Sequence, residues 1–403
     1  MHADLLVANS PLILTMNQRD GDTLGPLRGG AIAVTKGRIS WVGDAADAPP
    51  ASEVIDASGT VVVPALVDCH THTVWAGSRA SEFERRLTGE SYTAILEEGG
   101  GILSTVRATR AADEATLTST AAHRLAAMRA RGVLTVEIKS GYGLDVETEV
   151  RMLRAALAAG RSADVDVIAT FLGAHAIPAE HRADRERYVR HVIDEQLPAM
   201  KGLATAIDVY VDRGAFTLDE GRRILEAGRA AGLAVKVHAE QVAYTGIAEV
   251  AANLGALSCD HLERIDGAGI AAMARAGTVA VLAPGAMLYM HDMAPPIAAM
   301  RAAGVRFAVA TDLNPGSSPV HDLWTCATLA CVTMGLTVAE ALRGITVEGA
   351  RALGLDDRGV IAVGSRADLV LVEPPAGEPY AASSLVQHVG GARIRRVLRA
   401  GVN

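Results

Sequence analysis

The chain has 403 residues, half of them hydrophobic, and a net charge of −8. That length suits one large domain with a smaller companion, and the negative balance argues against a nucleic-acid surface, where clustered cations must meet phosphates. No run of about 18 uncharged apolar residues is present to form a membrane-spanning helix.

In chain order, the opening "MHADLLVANSPLILTMN" lacks the basic start, long apolar stretch and small-residue cleavage site of a signal peptide, so a cytoplasmic protein is expected. Residues 1–63 carry short alternating runs, "ADLLVANS", "LILTM", "GAIAVTKGRISWVG" and "TVVV", split by Gly, Asp and Asn, which reads as antiparallel β. A first buried strand is expected at 64–70, "PALVDCH". The long insertion 73–132 follows, with "GGG" at 99–101 read as a plain turn, a hinge or an anion cradle. From residue 133 one rhythm repeats: a short β-branched run, a turn with Gly, His or Asp, then an Ala/Leu/Arg segment of helical period. It predicts strands at 133–139, 165–172, 206–212, 233–239, 256–262, 278–284 and 305–312. Eight parallel strands with intervening helices predict a TIM (β/α)8 barrel, whose site belongs at the C-terminal strand ends; a loop leaving from that face, such as the insertion, can cover the pocket. A doubly wound sheet is the alternative, but no GxGxxG opens a helix after the first strand. Residues 357–403 return to short β runs, so both ends should pair as a small β domain (1–63 and 357–403) beside the barrel domain (64–356). The cysteines, Cys69, Cys259, Cys326 and Cys331, show no CxxC spacing and read as reduced thiols.

His70 and His72 stand one residue apart in "VDCHTHT", a period-two spacing that sends both side chains to one side of an extended backbone. Alone, such a pair is weak evidence for a metal. Other predicted strand ends supply further ligand types: His238 in "VKVHAEQ", His261 in "SCDHLE" and Asp312 in "VATDLNPGSSP". Imidazole and carboxylate converging from several elements is what a catalytic metal site needs. Each residue also has a plainer reading. His175 can be a satisfied strand-end histidine, Tyr142 a turn filler, Tyr92 a helix staple, and Arg79 a surface partner of Glu82 or Glu84. Asp68 either orients a ligand histidine or satisfies nearby backbone.

These residues resemble the metal-dependent amidohydrolase superfamily. More closely, "HTHTVWAGSRASEFERRLTGESY", "GGGILSTVRATR", "EIKSGYGLDVETE", "FLGAHAIP", "VKVHAEQ" and "ATDLNPGSSP" resemble the imidazolonepropionase family over nearly the whole chain. The resemblance implies a barrel flanked by a small β-sandwich built from both termini. It also implies a homodimer and hydrolysis of the ring C–N bond of 4-imidazolone-5-propanoate, a small-molecule substrate, to N-formimidoyl-L-glutamate. One Zn2+ or Fe ion would sit on His70, His72, His238 and Asp312. Asp312, His261 and Gln241 would act in catalysis, and Arg79, Tyr92, Tyr142, His175, Gln241, Asn314, Gly316 and Ser317 would hold substrate. Strand four, "AIDVYVD", lacks the lysine that bridges two metals in related enzymes, which favours one ion. Deaminase relatives carry HxxE where this chain has Gln241; Glu240 is the adjacent carboxylate, otherwise a surface group. A purine or pyrimidine deaminase and an inactive barrel scaffold remain the competing readings.

Overall fold

The computed structural model describes residues 2–90 and 99–401. Tyr92 lies outside them. The N-terminal strands are β1 (Ala3–Ala8), β2 (Leu12–Leu14), β3 (Pro26–Leu27), β4 (Gly30–Thr35), β5 (Arg38–Asp44), β6 (Ala51–Asp56) and β7 (Val61–Pro64). Eight strands then line up in sequence order in one all-parallel sheet: β8 (Leu66–Asp68), β9 (Val133–Lys139), β10 (Asp166–Ala174), β11 (Ala206–Val211), β12 (Ala234–Ala239), β13 (Ser258–His261), β14 (Val279–Leu282) and β15 (Phe307–Val309). The last two are β16 (Leu369–Glu373) and β17 (Arg393–Leu398). Helices separate the barrel strands, and several start on the caps their sequences supply. Asp113, Asp145 and Asp266 accept an N–H of the first turn, and Thr217 and Thr337 form capping boxes with Glu220 and Glu340.

The terminal strands form a four-stranded sheet, β5-β4-β1-β6, and a five-stranded one, β17-β16-β7-β2-β3. Leu5, Val7, Ile32 and Ile55 of the first pack against Ile13, Val62, Leu369, Leu371 and Leu398 of the second. Each fully buried aliphatic side chain contributes about 1.5–3 kcal/mol. The alternate residues of the larger sheet, Val61, Val63, Val370 and Val372, join the main core with Leu117 and Met128. Burial on both faces explains why "VVV" is continuous rather than alternating. The expectation of purely antiparallel ends is corrected here, since β1–β6 and β2–β7 are parallel. After β5 the chain crosses to the opposite edge of the sheet through 45–50 and re-enters in the same direction.

The expected strand at 64–70 is also split. Pro64 ends β7, the Ala65 N–H goes to Asp368 O, and the Leu66 N–H goes to Gly132 O inside the barrel. One residue therefore passes the chain from sandwich to barrel, and the sandwich anchors the strand that leads into His70.

No ladder joins β15 to β8. The two edges meet at the rim, where Asp312 N–H donates to His70 O (3.0 Å) and His72 N–H to Leu313 O (2.9 Å). Below them the Asp68 carboxylate accepts from the Thr311 N–H (3.1 Å) and hydroxyl (2.6 Å). Asp68 thus closes the barrel instead of orienting a histidine side chain. Within the long insertion, the helix Ala80–Leu87 reaches the helix Pro284–Met290, where Arg86 donates to Tyr289 O and the Phe83 and Tyr289 rings lie 5.9 Å apart. Among the described residues no helix is long and apolar enough to cross a membrane.

Candidate metal centre

The strand ends bring His70, His72, His238, His261 and Asp312 together, all buried. Two of them leave their strands in the left-handed region, His261 at φ 79° and Asp312 at φ 51°. Such backbone costs of order 1–3 kcal/mol and persists where the surroundings over-determine it. Asp312 Oδ1 lies 3.4 Å from His70 Nε2 and 3.5 Å from His72 Nε2, and His238 Nε2 lies 3.4 Å from His72 Nε2. Ligand atoms of His70, His72 and His238 fall within 4.8 Å of one another, as do those of His70, His261 and Asp312.

The donor chemistry fits a cation. His70 Nε2 is buried without a hydrogen-bond partner. Burial drives the His70 and His72 imidazoles well below their usual pKa, and that of His261 down to about 3, so all three are neutral with a lone pair to offer. Burial also pushes the Asp312 carboxyl up to about 7, which marks a carboxylate in need of a counter-ion. Neutral imidazoles around a buried carboxylate are a divalent-metal donor set.

Acids on other barrel strands aim the rings, Asp260 on β13 from across the barrel and Asp208 on β11 from the strand next to His238. His70 Nδ1 is 2.5 Å from Asp260 Oδ2, and His238 Nδ1 is 3.1 Å from both Asp208 oxygens. Asp208 Oδ1 also accepts the His238 backbone N–H at 3.0 Å. Fixing Nδ1 in this way points each Nε2 inward. Burial would raise Asp208, but His238 and Lys139 outweigh it and hold the acid well below the usual carboxylate range.

Beside the centre, His175 stacks on His72 with centroids 4.9 Å apart and planes 11° from parallel, and its Nδ1 is 3.1 Å from Gly141 O. The Tyr142 ring lies 5.8 Å from His72 and 5.4 Å from His175. This turn is pinned by the buried Glu149 carboxylate, which accepts the N–H groups of Gly141, Gly143 and Leu144. Gly141 has φ 106°, and a Cβ there would stand 2.9 Å from His175 Nδ1.

Arg79 pairs with Glu82 (Nε to Oε2, 2.8 Å), yet both side chains are only 11% exposed, so this is no surface pair. Glu82 also accepts from Gly101 N–H and Ser104 Oγ, which makes "GGG" a turn docked on an internal carboxylate. The Arg79 guanidinium lies against Gly316, where an added Cβ would sit 2.0 Å from Nη1. Gly316→Ala is therefore expected to displace Arg79 and, on the proposal that Arg79 holds the substrate carboxylate, to raise KM roughly tenfold, about 1.4 kcal/mol, with metal content unchanged. Steady-state kinetics with metal analysis checks it; an unchanged KM would mean that Arg79 does not need this approach.

The Asn314 amide is engaged within its own loop. Nδ2 donates to Asp312 O and Ser317 Oγ, and Oδ1 accepts from the Gly316 and Ser317 N–H groups. It shapes the loop that carries Gly316 and Ser317. Gln241 is half-buried, and its carbonyl accepts from Arg264. Glu240 is neither exposed nor facing the histidines: it is buried and accepts from Thr245 Oγ1 and the Ala248 N–H.

Residues 80–402 match the amidohydrolase family. Imidazolonepropionase of Acidiphilium cryptum is 51% identical over 92% of this chain and 93% of its own length. The chain belongs to the imidazolonepropionase family. A second imidazolonepropionase, from Methylobacterium nodulans, is 48% identical over 98% of this chain and all of its own. The fold is shared with zinc-containing enzymes of low identity. An adenosine deaminase from Xanthomonas campestris superposes with TM-score 0.76 at 20% identity, covering 100% of this chain and 92% of that one. Atrazine chlorohydrolase from Arthrobacter aurescens gives 0.70 at 16%, covering 98% and 94%.

In this imidazolonepropionase-family chain Lys139, which ends the second barrel strand and reads from the sequence as a structural or pocket-lining lysine, lies beneath the rings. The structure adds residues that the strand-end reading missed: Asp208, Asp260 and Glu137 also lie beneath the rings, and Tyr210 sits 5.7 Å from His238 and 6.2 Å from His175. Asp212 accepts the Val242 and Ala243 N–H groups and fixes the loop after His238.

Proposed function

We propose that the chain hydrolyses the ring C–N bond of 4-imidazolone-5-propanoate to N-formimidoyl-L-glutamate, with one divalent zinc or iron ion held by His70, His72, His238 and Asp312. The observation that carries this reading is the buried, partnerless His70 Nε2 facing neutral imidazoles and the Asp312 carboxyl, within a family of that activity. Three imidazoles and one carboxylate suit either metal. When bound, the ion supplies Lewis acidity that brings the pKa of a water towards neutrality.

The chain's own groups do the rest. Asp312 takes the proton of the attacking water as that water adds to the ring carbonyl carbon. His261 steadies the oxygen that becomes negative. The ring C–N bond then breaks, the departing nitrogen receives the proton that Asp312 accepted, and the carbonyl carbon becomes a carboxylic acid whose remaining water proton passes to solvent as it ionises. Asp312 ends as it began. Gln241, an amide that takes no proton at neutral pH, can orient the ring by hydrogen bonding. Tyr142 and His175 flank the ring, and the fork of Arg79 matches the propionate carboxylate.

Incubation of the metal-loaded protein with imidazolone propionate should deplete the substrate's ultraviolet absorbance and yield formimidoylglutamate. A metal-replete protein without turnover would reject the assignment. Arg79→Ala is expected to raise KM roughly 10- to 100-fold, the loss of a charge-assisted pair worth about 1.5–3 kcal/mol, with metal content intact. Loss of metal in that variant would contradict the division of roles.

A further inference from the structure

The chain holds four lysines, Lys36, Lys139, Lys201 and Lys236, and two of them, Lys139 and Lys236, are fully buried beneath the histidines. A lone ammonium in such a place would be neutralised or expelled. Lys139 is instead encased by acids. Its Nζ donates to Glu137 Oε1 and Asp208 Oδ2, each at 2.7 Å, and lies 3.5 Å from Asp260 Oδ2. Burial alone would lower the Lys139 ammonium, but the three carboxylates outweigh it and hold the proton firmly. Thr170 Oγ1 donates to the same Glu137 oxygen at 2.6 Å.

Two of these three acids are the ones that orient ring nitrogens: Asp208 holds His238 Nδ1, and Asp260 holds His70 Nδ1. The Lys139 backbone acts on the same centre, since its N–H donates at 2.9 Å to the carbonyl of Thr71, the residue between His70 and His72. One residue on β9 therefore touches the support of three of the four proposed ligands, which arise on strands far apart in the sequence.

We propose that Lys139 is the positioning residue of the metal centre, its ammonium cross-linking Asp208 and Asp260 so that the His238 and His70 rings are held in register for one ion. This deepens the function proposed above and rests on it. The charge at Nζ sets how much of each carboxylate's basicity reaches its imidazole, and its position sets where both Nε2 atoms point. Lys236 provides the contrast. Its Nζ donates to Ser258 Oγ (2.7 Å) and to the Cys69 and Ala352 carbonyls, and it stays 3.9 Å from Asp260. It braces backbone.

The test measures Co2+ affinity by competition with a chromophoric chelator and the visible spectrum of the Co2+-loaded protein, using wild type, Lys139→Met and Lys236→Met. Lys139→Met should weaken Co2+ binding roughly 10- to 100-fold, the range typical of partners behind metal-bound histidines, and shift the spectrum. Lys236→Met, which reaches only one of the two orienting acids, should lower thermal stability and weaken Co2+ binding clearly less than Lys139→Met does. Folded Lys139→Met with wild-type affinity and spectrum would overturn the proposal. Should that variant fail to fold, the double variant Lys139→Met/Glu137→Gln, which removes one positive and one negative charge together, decides by the same two readouts. Wild type that binds no Co2+ would instead reject the metal centre itself, a result distinct from a silent Lys139→Met.

Discussion

His238→Ala is expected to give a folded protein that keeps no metal after dialysis and whose kcat/KM falls by on the order of 10^4 or more. The substitution removes the one proposed ligand that sits within a barrel strand, on β12, with its ring 4.5 Å from that of His70 and 5.4 Å from that of His72. The two remaining imidazoles and Asp312 cannot enclose an ion from the β12 side. The fold should survive, because Asp208 keeps Lys139 as its partner at 2.7 Å and is not left as an isolated buried charge. Metal analysis beside circular dichroism is the check. A full equivalent of metal retained by folded His238→Ala would remove His238 from the ligand set.

Asp312→Asn is expected to separate coordination from proton transfer. Asparagine keeps an oxygen at Oδ1 and tolerates the left-handed backbone found at this position, φ 51°, so the loop and the rim hydrogen bond to His70 O should persist. It cannot accept a proton. The kcat should drop by roughly 10^2 to 10^4 while part of the metal is retained and KM changes little. Near-normal turnover by metal-loaded Asp312→Asn would assign the proton to another group.

The barrel and the cluster of proposed ligands at its rim were legible for a definite reason. Coordinating residue types are uncommon in apolar runs, so His70, His72, His238, His261 and Asp312 stand out where β-branched stretches end. The support beneath them was written just as plainly but in a different pattern. Glu137 and Lys139, Asp208, Tyr210 and Asp212, Lys236 and His238, and Ser258 and Asp260 alternate with Ile, Val or Cys at period two, which puts polar side chains on the inner face of several strands. What the sequence leaves open is which of these inward groups meet, because contacts such as Lys139 to Asp208 depend on strand stagger around a closed barrel. The terminal β runs were readable as strands, yet β1–β6 and β2–β7 turned out parallel, since direction depends on a crossover that local alternation does not encode. Glu240 looked available to the site by position alone; its own left-handed backbone, φ 49°, turns it towards the helix that follows.

The seam between β8 and β15 has a bearing on assembly. It is fastened by the Asp312 and Leu313 backbone to His70 and His72, so the residues that stitch the first strand to the last are also proposed ligands. They stand some 240 positions apart, a long-range closure whose loop entropy must be met before the contact rewards it. A nascent chain that has not yet released Asp312 from the ribosome lacks one of the proposed donors. Metal uptake during biosynthesis would then report that the circle is shut, and the ion would serve as its clasp.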